Sequence, residues 1–347
     1  VNVRSADRLF AHIDAAAEAN RFSGVISLRL GRDLVFERAY GFADRSNQIV
    51  NTLQTRFGTA SATKAFTALS VCALMEKGRV ALDTPVTDVL SVALPHVSKA
   101  VTIEHLLTHT SGIGDYYDEE VVTDFTTFHV SIPWYRLERP RDYVPLLAEL
   151  PPKFPPGGRF SYCNSGFILL GLIVEELAGV GYQEFVQTRI LDRAEMTDSG
   201  FMRLDALPER TAIGYIEEDG TWRTNVYNLP VVGGPDGGAF STAADMAKFW
   251  SALNRDAIIA REWRERFMQP HVPTPTLGVF YGLGVWIYQR PDKPPFHFIE
   301  GGDAGVSFAS LCGSKSGVQY TVACNAPPGA SEIVDLLDDA IVGIDRL

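Results

Sequence analysis

The stretch 65–75 is apolar on nearly every face of a helix, and a helix with no polar side has nothing to offer water. It must lie inside the molecule, and the rest of the chain must wrap around it. Gly78 follows Lys77 and supplies the stop. A helix is also predicted at the start, where Leu9, Ile13 and Ala16 or Ala17 recur at helical spacing up to Asn20. Strands are predicted over 24–29 and 34–40, joined by Gly31-Arg32-Asp33, and again late in the chain over 282–289, 306–311 and 318–325. A final helix is expected over about 331–344. Strands at both ends with helices between them predict an α+β fold, in which one antiparallel sheet is flanked by the terminal helices and carries a mostly helical inserted region. The expected division is residues 1–82 together with 236–347 as an α/β sandwich region and 83–235 as the helical region, with an active site between them. A length of 347 residues agrees with about two such regions.

Composition removes several classes of function. Hydrophobic residues make up 46% and charged residues 21%, an ordinary globular balance. The formal net charge is −11, without a basic cluster, so binding to phosphate backbones or to an anionic membrane surface is not expected. The longest apolar run, 167–174, is interrupted by Gly171 and is far shorter than a membrane span. Four cysteines, Cys72, Cys163, Cys312 and Cys324, form no CxxC pair and no disulfide framework. Cys312 and Cys324 flank a predicted hairpin, and two reduced core cysteines are the simpler expectation. Residues 1–10 lack an apolar signal core. A soluble chain is therefore expected, cytoplasmic or exported with its signal removed, and of open oligomeric state. The segment 113–152 is aromatic, acidic and proline-containing without clear periodicity, the character of a loop that lines a binding site.

The GxSxG, HExxH and GxxxxGK[ST] patterns are absent. What occurs is Ser61-Ala62-Thr63-Lys64, the only SxxK in the chain, opening the buried helix. Positions three apart share a helix face, so the hydroxyl and the amine point the same way. A serine becomes nucleophilic when a base takes its proton, and a lysine serves as that base when burial lowers its pKa. A helix N-cap followed by a solvated lysine is the alternative. A second element, Tyr162-Cys163-Asn164, precedes another apolar helix and is the only YxN. A tyrosine beside an ammonium can act as a general base, and Asn164 can hold both the lysine and a substrate carbonyl. Equally, a tyrosine at a helix entrance can be a half-buried aromatic and nothing more.

With these residues in place, the chain resembles the serine β-lactamase and penicillin-binding-protein superfamily, in the branch of class C β-lactamases, D-amino-acid-releasing peptidases and β-lactamase-like carboxylesterases. The resemblance runs through Phe57-Gly58-Thr59-Ala60-Ser61-Ala62-Thr63-Lys64, Thr102-Ile103-Glu104-His105-Leu106-Leu107-Thr108-His109-Thr110-Ser111-Gly112, the stretch 154–171, the stretch 237–246 and Tyr281-Gly282-Leu283-Gly284. It implies an acyl-enzyme mechanism without metal or cofactor. Ser61 attacks a carbonyl, Lys64 and Tyr162 share the proton, and the oxyanion sits between the N–H of Ser61 and an N–H on an edge strand. On that strand the family carries Lys-Thr-Gly or His-x-Gly, whereas the aligned residues are Glu300-Gly301-Gly302 with Asp303 next. Asp303 is then expected to give the second oxyanion N–H, beside Gly302. The literal triplet Lys315-Ser316-Gly317 falls where a hairpin turn belongs and is read as a decoy.

Glu300 in a cationic position would face a substrate carboxylate with another carboxylate. The expectation is an ester or amide substrate without a free carboxylate near the scissile bond, and a cationic amine on the substrate is compatible with it. The competing reading is that Glu300 turns away or pairs with an arginine such as Arg159. A D-amino-acid peptidase or D-Ala carboxypeptidase, a weak β-lactamase, a non-catalytic ligand-binding member of the fold and a metallohydrolase are the alternatives. His105 and His109 are four apart without an evident third ligand, so structural roles are expected. His297 is expected to be satisfied by backbone. Tyr116, Tyr117 and Trp134 are candidates for the cleft wall, Cys163 for a buried filler, and Asp236 for a turn.

Overall fold

The structure is a computed structural model and describes residues 3–31, 33–122, 124–291, 293–313 and 316–344. Lys315, the lysine of the decoy triplet, lies outside the described residues. The first helix, α1 (Val3–Ala19), leads into strands β1 (Gly24–Leu30) and β2 (Asp33–Tyr40). The buried helix α2 (Lys64–Glu76) follows a single 3-10 turn, Ala60–Thr63. Later come α3 (Asn164–Ala178) and α4 (Ala243–Asn254). The remaining strands are β3 (Val272–Pro273), β4 (Val279–Tyr281), β5 (Trp286–Arg290), β6 (Lys293–Asp303), β7 (Val306–Cys312) and β8 (Val318–Cys324), and helix α5 (Ser331–Ile344) closes the chain. These eight strands form one sheet in the order β2-β1-β8-β7-β6-β5-β4-β3, every neighbouring pair antiparallel. The pairing of β1 with β8, Val25 opposite Ala323, joins the two ends of the chain as expected.

Alternation along the strands divides the apolar residues between two cores. On one face Ile26, Leu311 and Val322 meet Ile13 and Ala17 of α1 and Ile333 and Leu337 of α5. On the other, Val25, Ile299, Phe308 and Ala323 join the larger core built around α2, α3 and α4. Helix α2 is buried from Lys64 to Met75, which is what its lack of a polar side requires. The middle of the chain also holds a hairpin, Tyr215–Glu218 with Thr221–Thr224, that the sequence reading did not anticipate.

Two expectations are corrected. The strand predicted over 282–289 begins only at Trp286, because Gly282 donates to the carbonyl of Val285 in a tight turn and Gly284 adopts φ +85°. The strand carrying Glu300 is not an edge strand, since β6 lies between β5 and β7. Its last residues are nevertheless open on one side, because the pairing with β5 ends at Phe298. Cys312 and Cys324 are both free and buried, at opposite ends of the β7–β8 pair. Ile26 is fully buried on the terminal-helix face, away from α2. Ile26→Ala is expected to cost about 2–5 kcal/mol in urea unfolding while leaving kcat for any substrate of the α2 side unchanged.

Candidate active site

The turn that presents Ser61 is held from several sides. Thr59 N–H donates to the carbonyl of Ala239, Ala239 N–H donates to Thr63 Oγ1, and Gly238 N–H donates to the carbonyl of Ala60. Ala60 sits at φ +43°, a conformation that strains a residue with a Cβ, immediately before the serine. On the other side lies Gly301, where an added Cβ would fall 2.4 Å from Ser61 N and 2.5 Å from the Thr59 carbonyl oxygen. Only glycine lets the strand approach Ser61 this closely.

Lys64 is 1% exposed, and its Nζ lies 3.0 Å from Ser61 Oγ, 2.7 Å from Asn164 Oδ1 and 2.5 Å from the carbonyl oxygen of Asp236. The last two partners can only accept. A neutral amine has two N–H bonds and one lone pair, so two acceptors leave the lone pair aimed at the Ser61 hydroxyl. Burial lowers the lysine pKa, and the carboxylates of Asp236, Glu119, Asp115 and Asp303 work against that shift. Asn164 turns its amide nitrogen to the carbonyl of Tyr117 (2.8 Å) and to Glu119 (3.3 Å). That nitrogen, expected to reach a substrate carbonyl, is therefore occupied by the loop.

Tyr162 presents its ring face to Lys64, with Nζ 4.8 Å from the centroid. Burial together with Glu119, Tyr281 and Glu300 pushes the phenol pKa well up, and the Ser61 side chain is the contact that opposes the shift. The resting group is thus a neutral phenol. His109 stacks against it at 4.3 Å between centroids and accepts the Cys163 N–H through Nδ1, which fixes the Tyr162-Cys163 backbone. His105 accepts the Thr102 N–H at the start of its own helix, and His297 bonds the Met268 carbonyl. Cys163 is buried in the core as a filler.

Register and parity decide the roles on β6. Asp303 pairs with Val306 across a two-residue turn, and such a closing pair exchanges both N–H···O bonds. Asp303 N–H is therefore committed to the hairpin and is not free for an oxyanion. Gly302, one position earlier, points its N–H away from β7 to the open side of the strand. Ile299, Gly301 and Asp303 face Ser61 and α2, whereas Glu300 and Gly302 share the face of Ala309 and α5. Glu300 thus does not stand beside Ser61 on its face. It lines a groove with Glu119 and Asp335, and burial with Asp338 and Glu119 raises its pKa. Arg159 pairs with Glu120 and not with Glu300.

Ser61 therefore opens on two spaces. One is a pocket walled by Tyr116, Tyr117, Phe128 and Trp134, with Asp236 and Asp303 as its carboxylates. The other is the groove, lined by Tyr162, Trp286 and the acids Glu119, Glu300 and Asp335. Among the described residues lining either space there is no lysine or arginine. Two residues of this centre escaped the sequence reading. Asp115 accepts the N–H groups of Asn164 and Ser165, both at 2.8 Å, and so caps α3 from a distance. The signal was the capping position itself, because Cys163 cannot accept those donors and some other group had to. Asp236, assigned only to a turn, accepts the Tyr116 hydroxyl and bonds Lys64 through its carbonyl.

The chain belongs to the Beta-lactamase family, whose match covers residues 6–340. It is 29% identical over 310 residues to penicillin-binding protein 4* of Bacillus subtilis (85% of this chain, 66% of that one). It is 33% identical over 220 residues to esterase EstB of Burkholderia gladioli (60% and 54%). The penicillin-binding protein structure from Bacillus halodurans superposes with a TM-score of 0.89 at 43% identity, over 95% of this chain and 100% of that one. The chain spans about half to two thirds of the length of the curated relatives it matches first. This kinship supports serine hydrolase activity. Among the described residues no single helix is long and apolar enough to cross a membrane.

A neutral Lys64 is the form able to take a proton, so any activity that uses it as a base is expected to show a kcat/KM that rises with pH through the lysine pKa. The Asp236 carboxylate favours the charged ammonium. Asp236→Asn keeps the carbonyl acceptor and removes that charge, so the rising limb of the pH profile is expected to move to lower pH.

Proposed function

We propose that this protein is a hydrolase of esters or amides lacking a carboxylate near the scissile bond, acting through an acyl-Ser61 intermediate. Ser61 Oγ bonds to the substrate carbonyl carbon as its proton passes to the Lys64 lone pair. The oxyanion gathers between the N–H groups of Ser61 and Gly302. Tyr162, a neutral phenol in contact with Ser61, donates to the departing oxygen or nitrogen and is reprotonated from Lys64. Water then attacks the acyl-enzyme along the same path in reverse. Tyr162 lines the groove and not the pocket, so the leaving group occupies the groove and the acyl group the aromatic pocket.

The observation that carries the substrate class is the charge of the two spaces. Their described walls hold five carboxylates and no basic side chain, and Lys64 is already held by three partners. A penicillin or a peptide C-terminus would bring its carboxylate to acids alone. Esterase EstB, among the relatives, agrees with an ester substrate.

Time-resolved mass spectrometry with p-nitrophenyl butyrate is expected to show a Ser61 adduct that forms and decays, absent from Ser61→Ala. Lys64→Met is expected to slow its formation by about 10²–10⁴-fold. Benzylpenicillin is expected to show a kcat/KM at least about 100-fold below that of the ester, and parity between the two would refute the substrate class. An ester that leaves no adduct on Ser61 would refute the hydrolase itself.

A further inference from the structure

The pocket that would take the acyl group holds a carboxylate with no assigned task. Asp303 shares the face of Gly301, which abuts Ser61, so its side chain is directed to the catalytic side of the sheet. It is only partly exposed and lines the same space as Tyr117, Phe128 and Trp134. No hydrogen bond or ion pair joins its side chain to another described residue; burial raises its pKa to about 7, Lys64 through space opposes that shift, and Asp236 and Glu119 add to it. Lys64 cannot turn to it without giving up Ser61, Asn164 or the Asp236 carbonyl. Ionising a half-buried carboxylate without a partner is costly, and a cation seated beside it removes that cost and holds the charged form.

The rest of the pocket has the chemistry to receive one. Tyr117 lies 4.5 Å from Phe128 between ring centroids, and Phe128 lies 6.1 Å from Trp134. Asp303 lines the same space as this aromatic wall, and burial first and the Asp303 charge second raise the Tyr117 pKa. Ring faces attract cations, most strongly where water is excluded, and ammonium groups carrying alkyl substituents suit them best. Aromatic faces and one carboxylate together solvate an ammonium more completely than either alone.

We propose that this pocket is a cation-accepting acyl subsite, in which Asp303 selects acyl chains that end in an ammonium group. The inference rests on the hydrolase reading above and adds the identity of the acyl group. It concerns the carboxylate on the face of Ser61, and not the acids of the groove, which are left to the leaving group.

Two isosteric p-nitrophenyl esters test it: 4-(trimethylammonio)butanoate, and 5,5-dimethylhexanoate with carbon in place of nitrogen. The readout is the ratio of kcat/KM, cationic over neutral, with Ser61 adducts followed by mass spectrometry. The ratio is expected to be at least about tenfold in the unmodified protein and to fall toward one in Asp303→Asn. Phe128→Leu tests the aromatic half independently and is expected to lower the ratio several-fold. A ratio near one in the unmodified protein overturns the inference and leaves the hydrolase reading intact. So does an Asp303→Asn variant that slows both esters by the same factor, since the carboxylate would then be acting only on Lys64. Absence of a Ser61 adduct with either ester removes the hydrolase reading, and this inference with it.

Discussion

The centre depends on placing an amine out of reach of water with partners that leave one direction open. Lys64 is the first residue of α2, a helix with no polar face, so its burial follows from that of α2. Burial alone would make it a weak cation anywhere in the core. What gives it direction is that Asn164 Oδ1 and the Asp236 carbonyl oxygen can only accept. They come from chain segments about a hundred and more residues away, so the orientation of one nitrogen depends on how the segments around Asn164 and Asp236 pack against α2. The surrounding carboxylates hold the opposing bias, and the amine is poised between the two.

The same economy governs the strand beside Ser61. The sheet brings β6 against the 3-10 turn, and Gly301 is the residue that allows the contact. Once the hairpin to β7 is closed at Asp303, pairing parity leaves Gly302 with a free N–H and assigns every side chain on β6 to a face. Glu300 and Asp303, three residues apart, are therefore sent to different spaces.

Much of this was legible in the sequence. The buried helix, the terminal strands and the terminal helices carry periodicity, and the SxxK and YxN pairs point to the hydroxyl of Ser61, the amine of Lys64 and the phenol of Tyr162, which the structure brings together. Three things were not legible. The open side of β6 depends on where β5 stops, which no local pattern in 286–303 records, and Pro294 and Pro295 obscure the strand itself. The faces of Glu300 and Asp303 follow from a register set by the Ala304-Gly305 turn, and a shift of one residue would exchange them. The parts played by Asp115 and Asp236 arise from contacts across 49 and 172 positions, where residue type gives no hint of the partner.

The hydrogen bonds around Asn164 have one more consequence. The carbonyl of Tyr117 holds the Asn164 amide nitrogen, and the oxygen of the same amide holds Lys64. Tyr117 is also a wall of the aromatic pocket. A guest that shifts this wall drags the amide, and with it the amine, out of line with the serine. Poor fit would then be registered as slow chemistry and not as weak docking, so the molecule can discriminate among guests that it holds equally well.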